Sequence, residues 1–182
     1  MGTFYIDAEN FEWIDGSKDN PNDFCLHGKA VAYIGKMKLE YHATLSATAL
    51  YLLKTLTEDH IIYTENQILP CCGHFYIPDE KLENVEIVGC PNGIDWSVIH
   101  DGDKVILELE DGTREIVNIE DYKKAVYQFA DKVEAFYNAC TPKILPDNDE
   151  FTRNGYLAFW NEWHRRRKGK LRKGEMEKKM LL

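Results

Sequence analysis

Two periods of hydrophobicity divide this chain. An alternation of period two predicts strands, and apolar spacings of three and four predict helices. Residues 3–14 place Phe4, Ile6, Phe11 and Trp13 for burial on either side of a polar break at Asp7 to Asn10. From Phe24 to Ile34 the alternation resumes, with Phe24, Leu26, Ala30, Ala32 and Ile34 on one face and Gly28 marking a bulge. Gly35-Lys36 then turns the chain into Met37, Leu39 and Tyr41, so residues 24–42 read as a hairpin. Ser46 is placed to cap a first helix whose stripe is Ala49, Leu52, Leu53 and Leu56.

Beyond the central stretch, Ile94 to His100, Lys104 to Glu110 and Thr113 to Val117 alternate, separated by Asp101-Gly102 and Asp111-Gly112. That pattern predicts a three-stranded meander. Asn118 caps a second helix with the stripe Tyr122, Val126, Phe129, Ala130, Val133, Phe136, Tyr137 and Cys140, stopped by Pro142. The last helix opens at Asp147, Asp149 and Glu150 and closes at Arg165, Arg166 and Arg167, each charge suited to its end of the dipole. Its aromatic face holds Phe151, Tyr156, Phe159, Trp160 and Trp163. Trp160 and Trp163 are the binding residues this face offers if it is exposed, and core residues if it is not. The expected fold is α+β, an antiparallel sheet of hairpins and a meander packed against about three helices.

The stretch from Leu69 to Trp96, LPCCGHFYIPDEKLENVEIVGCPNGIDW, organises the rest. Phe75 and Ile77 alternate with His74 and Tyr76, Pro78 ends the run, and Val85 to Val88 resumes it after a polar loop. If Ile77 faces Val85, Cys72 lies opposite Cys90 and His74 opposite Val88, all on one face. Cys72, His74 and Cys90 would then suit zinc, which takes thiolate and imidazole at about 2.0 to 2.3 Å. Cys71 would point the other way unless the strand bends there. Buried cysteine is also an ordinary small hydrophobe, and packing alone accounts for such residues in most folds.

Charge changes the picture more than composition does. The formal charge is −9, but from His164 onward nine Lys and Arg face only Glu175 and Glu177, a local +7 that leaves −16 on residues 1–163. The expectation is a single domain over 1–163 and a basic C-terminal extension over 164–182. An acidic body repels nucleic acid and attracts basic proteins, so nucleic acid is expected only through Arg165, Arg166, Arg167 and Lys168. Five cysteines are too few and too irregular for a disulfide framework. With no secretory leader read at the start, reduced thiols and a cytoplasmic location are expected. No apolar run approaches the ~18 residues of a membrane span.

No P-loop, G-x-G-x-x-G, H-E-x-x-H or G-x-S-x-G occurs. What chemistry remains is a cysteine nucleophile, Cys72 or Cys90, with His74 or His100 as base and Asp95 as orienter. The profile of an acidic, aromatic-rich α+β chain without a catalytic signature resembles that of bacterial immunity proteins, which neutralise a cognate toxin by binding it. The resemblance is one of class and implies a basic protein partner, possible toxin domain included, and no cofactor. The alternative is a zinc- or cysteine-dependent enzyme centred on Cys72, His74 and Cys90.

Overall fold

The computed structural model describes residues 3–64, 66–73 and 75–168. Strands β1 (Phe4–Glu12), β2 (His27–Ile34) and β3 (Met37–Thr44) form an antiparallel sheet in that order. Its register pairs Ile6 with Ala32 and Ala32 with Leu39, so one face is continuously apolar. The register shifts between Glu9 and Glu12, where Asn10 takes a positive φ of 55°. Gly28 lies opposite this bulge, and a side chain there would meet the Glu9 carbonyl and the Leu45 side chain.

Helix α1 (Leu45–Lys54) follows without a loop and is buried on nearly every side. Its N-cap is Thr44 and not Ser46. The Ser46 hydroxyl accepts instead from the Leu26 amide at 3.2 Å, tying the helix to the entry of β2. The chain then runs through β4 (Leu69–Pro70), β5 (Phe75–Pro78), β6 (Val85–Val88) and β7 (Gly93–Ile94), pairing β4 with β7 and β5 with β6. The expected meander follows as β8 (Ser97–Asp101), β9 (Lys104–Glu108) and β10 (Arg114–Asn118), with Gly102 and Gly112 at positive φ in its two turns. Among the described residues the strands thus form four small antiparallel sheets where the alternation suggested one.

Helix α2 (Ile119–Ala139) is capped by Asn118, whose side chain accepts from the Glu120 amide at 2.9 Å. Its stripe covers β1: Phe136 stacks on Phe11 with centroids 5.0 Å apart, and Tyr137 meets Trp13 edge-on at 5.1 Å. At its other end the Tyr122 hydroxyl reaches Thr55 of the α1 terminus at 2.7 Å. Helix α3 (Glu150–Arg167) is capped by Asp149, which accepts from the Thr152 amide. No helix among the described residues is long and apolar enough to cross a membrane.

The boundary expected after Trp163 falls inside α3, and the arginines beyond it belong to the fold. Glu162 is buried to 1% exposure and binds three elements. It accepts from the Val85 amide at 2.8 Å and from Arg166 Nε at 2.7 Å, and Lys54 Nζ lies 3.7 Å away. Arg166 continues to Glu58 at 2.7 Å, Arg165 donates to Asn84 at 2.6 Å, and Arg167 pairs with Asp131 over the Tyr127 ring. Three of the four cations expected to meet phosphate are therefore engaged by protein acceptors. Lys168 ends the described chain, and the basic segment 169–182 lies outside the described residues.

Removing one partner of a buried ion pair strands the other charge away from water. Glu162→Ala is therefore expected to lower unfolding free energy by about 3–5 kcal/mol in urea titrations. Arg114, whose pair with Glu108 is exposed, should cost about 1 kcal/mol or less when changed to Ala.

Candidate binding groove and thiol cluster

The β5–β6 hairpin departs by one residue from the expected register. Ile77 faces Glu86 and Pro78 faces Val85. The turn decides this: the Asp79 amide donates to the Asn84 carbonyl, and the Asp79 carboxylate accepts from the Glu83 amide at 2.8 Å and from Asn84 Nδ2 at 2.6 Å. That closure makes Pro78 the last paired residue. Tyr76, Val85 and Ile87 turn inward, leaving Phe75 66% exposed and Ile77 beside it also at the surface. Tyr76 goes inward, where its hydroxyl finds partners, and the period of two leaves Phe75 on the outer face.

Those partners form a buried polar knot. The Phe24 carbonyl accepts from the hydroxyls of Tyr76 at 3.4 Å and Tyr137 at 2.7 Å. The Leu26 amide donates to Tyr137 at 3.3 Å as well as to Ser46. The Cys25 thiol donates to the Gly73 carbonyl at 3.4 Å and lies 3.7 Å from the Tyr76 hydroxyl. Burial raises the pKa of all three acids: the Cys25 thiol goes to about 12, and the phenols of Tyr76 and Tyr137 go well above their ordinary value. The knot is neutral, and Cys25 is an inert thiol.

Above it opens a groove of about 470 Å³ between the 13–24 loop, β5 and the start of α3, with Cys25 and Tyr76 in its floor. Its walls expose Ile14 at 67%, Phe75, and Phe151 at 50%. Asp23 and Asp149 stand in the lining. The 13–24 loop is fastened to the 141–150 segment: the Ile144 amide donates to the Pro21 carbonyl, and the Asp19 carboxylate accepts from the amide and hydroxyl of Thr141. These two segments carry Asp15, Asp19, Asp23, Asp147, Asp149 and Glu150. Their cations are turned onto carbonyls, Lys18 to Phe11 at 2.7 Å and Lys143 to Asn20 at 2.6 Å, with Lys143 also over the Trp13 ring. Asp15 and Asp149 ionise below the usual carboxylate range, Asp15 through hydrogen bonds from Ser17 and Asp149 through those from Thr152. The rim keeps its charge because neutral donors hold it.

Beside the groove the chain brings three sulfurs together. Cys71, Cys72 and Cys90 lie with their sulfurs within 4.8 Å of one another, all half-buried. The set expected from alternation was Cys72, His74 and Cys90. Cys72 and Cys90 do meet, Cys71 joins them because residues 71–73 bend out of the ladder between β4 and β5, and His74 lies outside the described residues. Cys71 and Cys90 are joined as a disulfide, which corrects the expectation of reduced thiols throughout. Gly89 permits the crossing, since any Cβ there would collide with the Cys72 carbonyl.

Of the groups proposed to serve a cysteine nucleophile, Asp95 and His100 pair elsewhere, and His74 lies outside the described residues. Asp95 binds His60 at 2.8 Å and the Ile68 amide at 3.0 Å, and His100 Nδ1 lies 2.7 Å from Asp59. Asp95 thus holds the approach to β4, and His100 sits at the start of the meander. Of the two tryptophans, Trp163 is fully buried and serves the core, donating to Glu134 at 3.1 Å. Trp160 is half-buried, in a cleft with Tyr137, Lys143 and His164. The sequence did not single out Ile14, Phe75 and Phe151 as groove residues; their signal was only that they are large and apolar, with Ile14 and Phe151 beside Asp15 and Glu150. The chain matches no protein-family model, no curated protein and no solved structure.

In native protein at neutral pH, Cys25 is expected to resist alkylation while Cys72 and Cys140 react; unfolding should expose Cys25, as mapped by mass spectrometry. A thiol protonated to about 12 when folded but ionising near 9.0 when unfolded stabilises fully below 9.0 and loses that contribution as pH rises toward 12. Unfolding free energy measured against pH should therefore fall through this window, and less so in Cys25→Ala.

Proposed function

We propose that the protein binds a basic protein partner, and most concretely that it neutralises a toxin domain in the manner of an immunity protein. One observation carries this reading: an apolar groove walled by exposed Ile14, Phe75 and Phe151, with the carboxylates of Asp23 and Asp149 in its lining. Exposed apolar surface within a charged border is the usual anatomy of a docking site, with aromatic anchors at the centre. With Arg165 to Lys168 counted in the folded body, residues 1–168 still carry −12, a long-range field that raises association rates with a positive partner.

A basic toxin domain whose contact surface presents an apolar side chain flanked by Lys or Arg is the expected ligand. Association measured by stopped flow against such domains should slow steeply as salt rises, because the Debye length shrinks from about 10 Å at 0.1 M to 3 Å at 1 M. Phe151→Ala and Phe75→Ala, both at surface positions, should weaken binding by about 30-fold each while leaving unfolding free energy within ~0.5 kcal/mol of wild type. A rate indifferent to ionic strength, or binding untouched by both substitutions, would refute the reading.

A further inference from the structure

We propose that Cys71, Cys72 and Cys90, with the Cys71–Cys90 pair in its dithiol form, bind one zinc ion. Nothing in this inference depends on the groove. Cys71 and Cys72 leave β4, Cys90 leads into β7, and the two loops are fastened to each other by the Cys71 amide, which donates to the Asn92 carbonyl at 3.0 Å. The cluster is therefore not a chance meeting of mobile side chains. A disulfide uses two sulfurs, yet three converge, and the third is held in place. Cys72 Sγ accepts from the Cys90 amide at 2.9 Å, although a neutral thiol is a weak acceptor. An N–H aimed at a sulfur suits a thiolate, the form that ligates metal.

Thiolates in tetrahedral array at about 2.3 Å from zinc lie roughly 3.8 Å apart. The three sulfurs lie within 4.8 Å of one another, so the adjustment needed is on the order of an ångström of side-chain rotation. Soft donors select zinc over magnesium or calcium. Three protein ligands leave the fourth position to water or to a ligand from outside. Opening the disulfide takes two electrons and two protons from a dithiol, which becomes a disulfide itself. Zinc then displaces the protons of the three thiols and undergoes no redox change. The site is thus available under reducing conditions and closed by oxidation.

The test uses the full chain, reduced with a phosphine that ends as its oxide, stripped by chelator and titrated with Zn²⁺ against a chromophoric competitor. One ion per chain is expected, with proton release, and alkylation mapping should show Cys71, Cys72 and Cys90 protected by zinc while Cys140 still reacts. Cys72→Ser should lower affinity by ~100-fold or more, and Cys140→Ser should leave it unchanged. Reduced wild-type protein that takes up no stoichiometric zinc, or zinc that fails to protect the three thiols, overturns the proposal. So does a folded Cys72→Ser variant that binds zinc as tightly as wild type.

Discussion

One buried anion holds the β5–β6 hairpin against the helices. A two-stranded hairpin such as β5–β6 is marginal on its own in water, and here its attachment runs through Glu162. The carboxylate takes the Val85 amide at the start of β6, while Lys54 of α1 donates to the Val85 carbonyl at 2.9 Å and stands beside the same carboxylate. Strand, helix and helix thus meet at one residue. Burying a carboxylate is costly unless it is paired and fully hydrogen-bonded, and Arg166 supplies the pairing from one turn further along α3. The arginine run belongs to the interior as much as to the surface.

From that anchor the groove follows. Gly155 lets α3 approach so closely that a Cβ there would collide with the Tyr76 carbonyl, and Phe159 stacks on the Tyr76 ring at 4.9 Å. With Tyr76 committed inward, the period of two sends Phe75 and Ile77 outward. Exposure of Phe75 is therefore imposed by the burial of its neighbour. The same logic places Phe151 on the open first turn of α3, ahead of the residues that bury Phe159 and Trp163.

Most elements were legible because their signals are local. The meander, the Asn118 cap, the acidic opening of α3 and the α2 stripe rest on turns and spacings within a few residues. What was illegible depends on long-range partners. Ser46 looks like an N-cap until Leu26, twenty positions away, claims its hydroxyl. Tyr76 looks interchangeable with Phe75 until Phe24 and Cys25 are beside it. Arg165, Arg166 and Arg167 look like a solvated run until Asn84, Glu58 and Asp131 meet them. Cys72 and Cys90 lie near each other, but the ladder expected to join them stops at Phe75; a bend at residues 71–73 brings them together and adds Cys71.

That bend also couples the two regions of interest. The Gly73 carbonyl accepts from Cys25 in the floor of the groove, and a Cβ at Gly73 would press on Ala47 of α1 and Ile87 of β6. One residue before it stands Cys72 of the sulfur cluster, and two residues after it stands Phe75 of the groove wall. Four residues thus span both, too short a segment to decouple them, since an extended chain covers at most ~3.3–3.6 Å per residue. Whatever fixes the sulfurs, disulfide or ion, also fixes where Phe75 leaves the core. A rigid wall loses less entropy on binding than a mobile one, so a partner docked in the proposed groove would feel the state of the thiols through the backbone at Gly73.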